Sequence, residues 1–162
     1  MVLDLYVEDN AKNEDYSISC AYSGFTYFRC ELLRGWNENL AELYEIYFSD
    51  LMERERTYKT INEKEISEYM SNKSLTERKI KQILDEYDKP YNKGMKLFIY
   101  HSDCDGEFTP SECELILKSF GRVDPNKFDK NDIHFDFYNM IYKKWKKMLA
   151  FAIEINKNII FG

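Results

Sequence analysis

Hydrophobic and polar positions alternate at the start of the chain. Val2 to Glu8 (VLDLYVE) and Tyr16 to Tyr22 (YSISCAY) both read as strands, the second with Ile18, Cys20 and Tyr22 on one face. The polar stretch Asp9 to Asp15 between them suits a turn, so the two strands predict a hairpin. The period then lengthens. Phe25, Phe28, Leu32 and Leu33 recur at helical spacing, with Ser23 as expected N-cap and Gly35 as the stop. Asn37 or Asn39 caps a second expected helix carrying Leu40, Leu43, Tyr44, Tyr47 and Leu51, with a mixed-charge solvated end at Glu53 to Arg56.

Ile61 to Met70 and Leu75 to Tyr87 predict two shorter helices, the latter with Leu75, Ile80, Ile83, Leu84 and Tyr87 inward. Asp88 to Gly94, holding Pro90 and Gly94, reads as the clearest break in the chain. Met95 to Tyr100 suits either a helix end or a strand. His101 to Glu112 is expected to be a loop that runs into a helix through Phe120, and Gly121 to Asn131 a polar connection with Pro125. The last long helix carries Ile133, Phe137, Met140, Ile141, Trp145, Met148, Leu149 and Ala152 on one stripe, and Asn158 to Phe161 closes as a short strand. The pattern contains no repeat and no linker. It predicts an α+β, mainly helical fold, with a small sheet from the N-terminal hairpin and C-terminal strand packed against about five to six helices. The 162 residues fit a single domain, 1–162, large enough to fold without a metal or disulfide.

Composition narrows the function classes. With 23 basic and 29 acidic residues the net charge is −6, which disfavours direct nucleic-acid binding and is compatible with docking onto a basic, nucleic-acid-binding protein. With 13 Tyr and 11 Phe, some rings can sit at the surface and serve a partner, or they mostly edge an ordinary core. Cys20, Cys30, Cys104 and Cys113 form no C-x-x-C pair, and Met1 to Asp9 reads as a strand rather than a secretory leader. No apolar run approaches the roughly 18 residues of a membrane span. A reducing cytoplasm is the expected setting.

The segment His101 to Glu112 carries the most chemistry. Laid over the twelve-residue calcium loop of an EF-hand, Asp103 and Asp105 take positions 3 and 5, Gly106 the sharp turn and Phe108 the apolar position. Glu107 offers its carbonyl, Thr109 falls at position 9, and Glu112 stands where a bidentate carboxylate belongs. His101 replaces the usual first Asp, Gly94 interrupts the incoming helix, and the loop is single. A purely structural account covers the same residues: Thr109-Pro-Ser-Glu112 is a capping box, and Asp-x-Asp-Gly a tight turn.

Other chemistries are weaker. His101 with Cys104 and Cys113, completed by Cys20, Cys30 or His134, makes a zinc set without the usual close cysteine pair. His101 oriented by Asp103 or Asp105 makes an acid–base pair without a nucleophile. Arg29 lies on an apolar helix stripe and must find an acid, carbonyls or an anionic ligand. Lys143, Lys144, Lys146 and Lys147 flank Trp145, either a phosphate or partner contact or a solvated face.

Three strings together, YSGFTYFR, HSDCDGE and FAIEINKNIIFG, resemble a family of small uncharacterised bacterial and phage proteins. In those proteins an early aromatic–arginine helix, a His-Ser-Asp-Cys-Asp-Gly turn and a C-terminal Ala-x-Glu-Asn-like strand recur; Ala152 and Glu154 to Asn156 approximate the last. The resemblance spans most of the chain and implies a prokaryotic or phage setting, without supplying a mechanism. The expectation is a non-enzymatic interaction protein, an inhibitor or immunity factor binding a protein partner through such contacts as Arg29 and Trp145. The alternatives are a calcium module using Asp103, Asp105, Glu107 and Glu112, and an enzyme using His101 with Asp103 and Asp105.

Overall fold

A computed structural model describes residues 2–48, 57–86 and 89–162. The expectations for Leu51, Glu53 to Arg56, Tyr87 and Asp88 lie outside the described residues. The predicted hairpin forms from β1 (Val2–Val7) and β2 (Ser17–Ala21), which pair antiparallel with Leu5 opposite Ile18. Alternation decides the faces: Leu3, Leu5 and Val7 are fully buried while Val2 is exposed.

Helix α1 (Tyr22–Trp36) starts directly off β2, so Ser23 is inside its first turn and makes no cap; Ala21 occupies that position without a side-chain bond. Asn37 ends α1 and caps α2 (Glu38–Tyr47), its side chain accepting from the Leu40 amide at 3.1 Å. Next come α3 (Glu63–Ser71), opened by an Asn62–Glu65 capping box, and α4 (Lys73–Glu86), with Ile80, Ile83 and Leu84 buried.

The predicted break before residue 95 is a correction. Helix α5 (Lys89–Tyr100) runs through Gly94, and Met95, Phe98 and Ile99 are its buried face. Proline is tolerated in the first helical turn, where its missing N–H has no partner to lose. Gly94 serves packing rather than turning. A Cβ there would stand 2.0 Å from the Leu115 carbonyl oxygen and 2.5 Å from Ser119 Oγ, both on α6 (Pro110–Phe120). The missing side chain lets the two helices touch backbone to backbone.

Between α5 and α6 lies β3 (Gly106–Phe108), a strand absent from the sequence reading because three residues carry no periodicity. After a 3-10 turn at Pro125–Lys127, α7 (Phe135–Ile155) leads to β4 (Ile159–Phe161). The sheet order is β2-β1-β4-β3, antiparallel throughout, so β3 extends the expected three-stranded sheet at its far edge. Among the described residues there are seven α-helices beside this sheet, α1 and α7 packing on it, and the chain is α+β and mainly helical.

Trp145 is fully buried, in a cluster with Phe98 (ring centroids 4.9 Å), Phe25, Phe108 and Phe161. Its expected role at a partner surface is therefore corrected: the α7 stripe turns it inward. The stripe is also narrower than its pattern, since Ile133 is 90% and Met140 54% exposed, while Tyr138 and Tyr142 take their places inside. Tyr142 does so by donating its hydroxyl to the Phe120 carbonyl at 2.7 Å.

Two glycine substitutions test this packing in opposite directions. Gly94→Ala is expected to lower stability by roughly 1–3 kcal/mol or more, because the clash is with backbone. Gly24→Ala, whose new methyl meets nothing within 4 Å, is expected to stabilise by about 0.5–1 kcal/mol through helix propensity. Urea denaturation of both reads the difference, and a neutral Gly94→Ala would show that the α5–α6 contact is looser than described.

Candidate functional site

The segment 101–112 is held by α1. Arg29, 3% exposed, donates through Nη1 to Asp103 and through Nη2 to the His101 carbonyl at 2.7 Å. Its guanidinium carbon lies 4.3 Å from the centroid of Phe25 and 5.8 Å from that of Phe98, so aromatic faces complete its surroundings. This is the acid-and-carbonyl pairing that an arginine on an apolar stripe requires.

The turn itself is braced by His101. Its Nδ1 sits 2.7 Å from the Ser102 carbonyl and its Nε2 3.4 Å from the Glu107 carbonyl. The ring packs 4.0 Å from Phe161 and 4.4 Å from Phe108, centroid to centroid. Gly106 has φ +108°, and a Cβ there would stand 3.0 Å from His101 Cε1. Glycine is thus needed twice, for the backbone conformation and for the imidazole above it.

Each acid of the calcium-like loop has its own task. Asp103 faces Arg29, and Asp105 accepts from Ser102 Oγ at 2.8 Å. Glu112 closes the capping box of α6, accepting from the Thr109 amide at 2.9 Å and hydroxyl at 3.0 Å. The Glu107 carbonyl faces His101, and its backbone pairs with Ile160 in the sheet. These carboxylates do not converge, so the coordination expected of Asp103, Asp105, Glu107 and Glu112 is corrected to a braced turn. The zinc set is not assembled either. Cys104 is exposed, Cys113 is buried and directed at the Phe108 carbonyl, and His134 lies beside Tyr138.

Among the described residues the one group of possible ligands within 4.8 Å of each other is Cys30, Glu31 and Glu45, all buried. Sequence reasoning missed it, and its bonds are internal. Glu45 accepts from Cys30 Sγ at 3.2 Å and from Arg34, while Glu31 accepts from the Asp129 amide at 2.8 Å. Glu42, also buried, accepts from the amides of Lys59, Thr60 and Ile61. The available signal was acid at positions inside helical apolar stripes. Of the lysine patch, Lys147 pairs with Asp15 at 2.9 Å and lies over Tyr16, while Lys146 lies over Tyr142.

The structure joins Arg29 to the His101 turn in a shared cleft of about 360 Å³. Arg29, His101, Asp103 and Cys104 line one side; Tyr44, Tyr47 and Phe48 enter from the end of α2, Glu77 and Ile80 from α4, and Ile99 and Tyr100 from α5. The volume lies within the range of small-ligand sites, and the walls are aromatic with a few polar groups. Burial pushes the Tyr100 hydroxyl up to about 12, with Glu77, Tyr47 and Asp85 adding to the effect. Burial also raises Tyr44, against the opposing influence of Arg29. His101, Asp103 and Arg29 are thus brought together, whereas Asp105 and Trp145 lie outside this cleft. Comparison of the chain with family models, with curated proteins and with solved structures finds no match.

Millimolar calcium is expected to leave the melting temperature unchanged, because the loop's acids are tied to Arg29, Ser102 and Thr109. A rise in melting temperature abolished by Asp105→Ala would show that the turn rearranges around the ion. The thiols should also separate by reactivity. Burial pushes Cys20 up to about 11 and Cys113 up to about 12, so at about pH 8 the thiolate is only a very small fraction of either. Iodoacetamide at that pH is expected to label the exposed Cys104 first, Cys20 slowly, and the buried Cys30 and Cys113 only after unfolding. Early labelling of Cys113, read by peptide mass, would contradict the burial.

Proposed function

We propose that this chain is a non-enzymatic interaction protein of the bacterial or phage cytoplasm, an inhibitor or immunity factor that binds a protein partner through the cleft. The observation that carries the reading is how the cleft's reactive groups are engaged. Both His101 ring nitrogens face main-chain carbonyls, and the Arg29 and Asp103 side chains face each other. A general base needs a ring nitrogen within hydrogen-bond reach of a substrate proton, and both nitrogens of this imidazole already face the main chain. What the cleft presents instead is tyrosine, phenylalanine and carboxylate, surfaces suited to recognition.

The partner class follows from charge. A net charge of −6 suits a basic protein surface, such as that of a nucleic-acid-binding defence protein whose groove the chain would occupy. No helix among the described residues is long and apolar enough to cross a membrane, in keeping with a partner in the aqueous phase. The bacterial or phage setting rests on the resemblance of the YSGFTYFR, HSDCDGE and FAIEINKNIIFG strings.

Affinity recovery of the tagged full chain from its source cells tests the proposal. A single protein in stoichiometric amount is expected, and it should be lost with Tyr100→Ala, whose half-exposed ring stands at the cleft. Recovery of the chain alone in repeated trials, or a partner indifferent to Tyr100→Ala, would overturn it.

A further inference from the structure

The cleft's chemistry defines what enters it. Among the described residues that line it are two carboxylates, Glu77 on α4 and Asp103 on the turn, together with Tyr47, Phe48 and Tyr100. We infer that the cleft is a binding site for a cationic side chain, an arginine or lysine presented by a basic protein partner. The inference rests on the interaction reading above and names the group recognised.

Three features favour a cation over an anion. First, Arg29, the one cation among the described lining residues, has Asp103 and the His101 carbonyl on its two terminal nitrogens. Its charge is matched, and an incoming anion would have to compete with Asp103. Second, aromatic faces attract a cation and gain strength as it loses water, which a concave site promotes. Tyr44 and Phe48 pack 4.6 Å apart and Tyr47 and Phe48 4.8 Å, so the wall is a preformed aromatic surface. Third, the carboxylates retain capacity. Arg29 takes Oδ1 of Asp103, whose side chain is still 30% exposed, and Glu77 meets Lys81 at 3.0 Å where both are well solvated. Such a surface pair is weak and easily exchanged. Asp85, farther along α4, is paired with Lys96.

A guanidinium fits this arrangement better than an ammonium. Its plane stacks on a ring while its edge donates to a carboxylate, the two contacts that the cleft offers side by side. The cleft's 360 Å³ accommodates one such side chain with its stem against Ile80 and Ile99.

The test is a titration of the full-length protein, followed by amide NMR shifts, with Nα-acetyl-arginine amide, its uncharged isostere Nα-acetyl-citrulline amide, and benzoate as an anionic aromatic. Saturable shifts confined to residues around Tyr100 to Cys104 and the end of α2 are expected for the arginine probe. Citrulline should bind on the order of tenfold more weakly. Glu77→Gln, at a half-exposed position that the fold does not need, should weaken the arginine probe several-fold and leave citrulline unmoved. Equal binding of citrulline, tighter binding of benzoate, or no localised shifts with arginine would overturn the inference. If a Tyr100-dependent partner is recovered from cells while the arginine probe leaves the cleft unmoved, the cation assignment falls and the interaction reading stands. If the probe saturates the cleft and no partner is recovered, the failure belongs to the interaction reading.

Discussion

A guanidinium removed from water is the constraint on which this structure turns. Arg29 sits among Phe25 and Phe98, where an unpaired positive charge would be untenable, and it cannot shed its proton to escape. It therefore dictates where its counter-ion must be. Asp103 and the His101 carbonyl meet it from more than seventy residues away in sequence, so the turn after α5 is drawn onto α1. Removing one member of such a buried pair costs about 3–5 kcal/mol, because the charge left behind keeps its desolvation penalty. The turn's internal geometry depends on the same anchor. With His101 oriented by its carbonyl contact, its ring covers Gly106, and the short strand that follows joins the edge of the sheet.

This explains why a calcium loop and a braced turn look alike in sequence. Both need a glycine at positive φ, acids in a tight turn, and a carboxylate three residues into the next helix. Gly106, Asp105 and Glu112 satisfy either requirement. The residue that separates them is His101, which a calcium site would not favour and an apolar brace against Phe108 and Phe161 does. Reading that distinction needed the knowledge that Phe161 is a neighbour, and it lies a whole helix pair further along the chain. The Thr109 capping box and the Arg29 requirement for an acid were legible because each is set within a few residues.

The same division runs through the fold. The hairpin, the terminal strand and most of the helices follow from local periodicity and caps such as Asn37. Gly94 misleads because glycine has two uses, turning a chain and admitting another backbone, and only the presence of Leu115 shows which applies. Trp145 misleads similarly: lysines on either side suggest a surface, but the helical rotation places it between Phe98 and Phe25. The buried acids Glu31, Glu42 and Glu45 stand inside apolar stripes, but what satisfies them was hidden for a related reason. Their partners, the Asp129 amide, the amides at 59–61 and the Arg34 guanidinium, come from a distant loop, from the segment after α2 and from a neighbouring helix.

The cleft inherits its character from these structural demands. His101 and Arg29, the groups that look catalytic in sequence, are engaged in holding the turn. Because the end of α2 carries Tyr44, Tyr47 and Phe48 toward that same turn, rings are gathered with carboxylates. An aromatic wall beside an acid can hold a positive group, since both contacts are attractive without any change in protonation. The residue that stabilises the fold thus also selects the chemistry of the surface above it. Arg29 and Asp103 satisfy each other from within, so the rings of Tyr47, Phe48 and Tyr100 and the solvated Glu77 are left to set what the cleft admits.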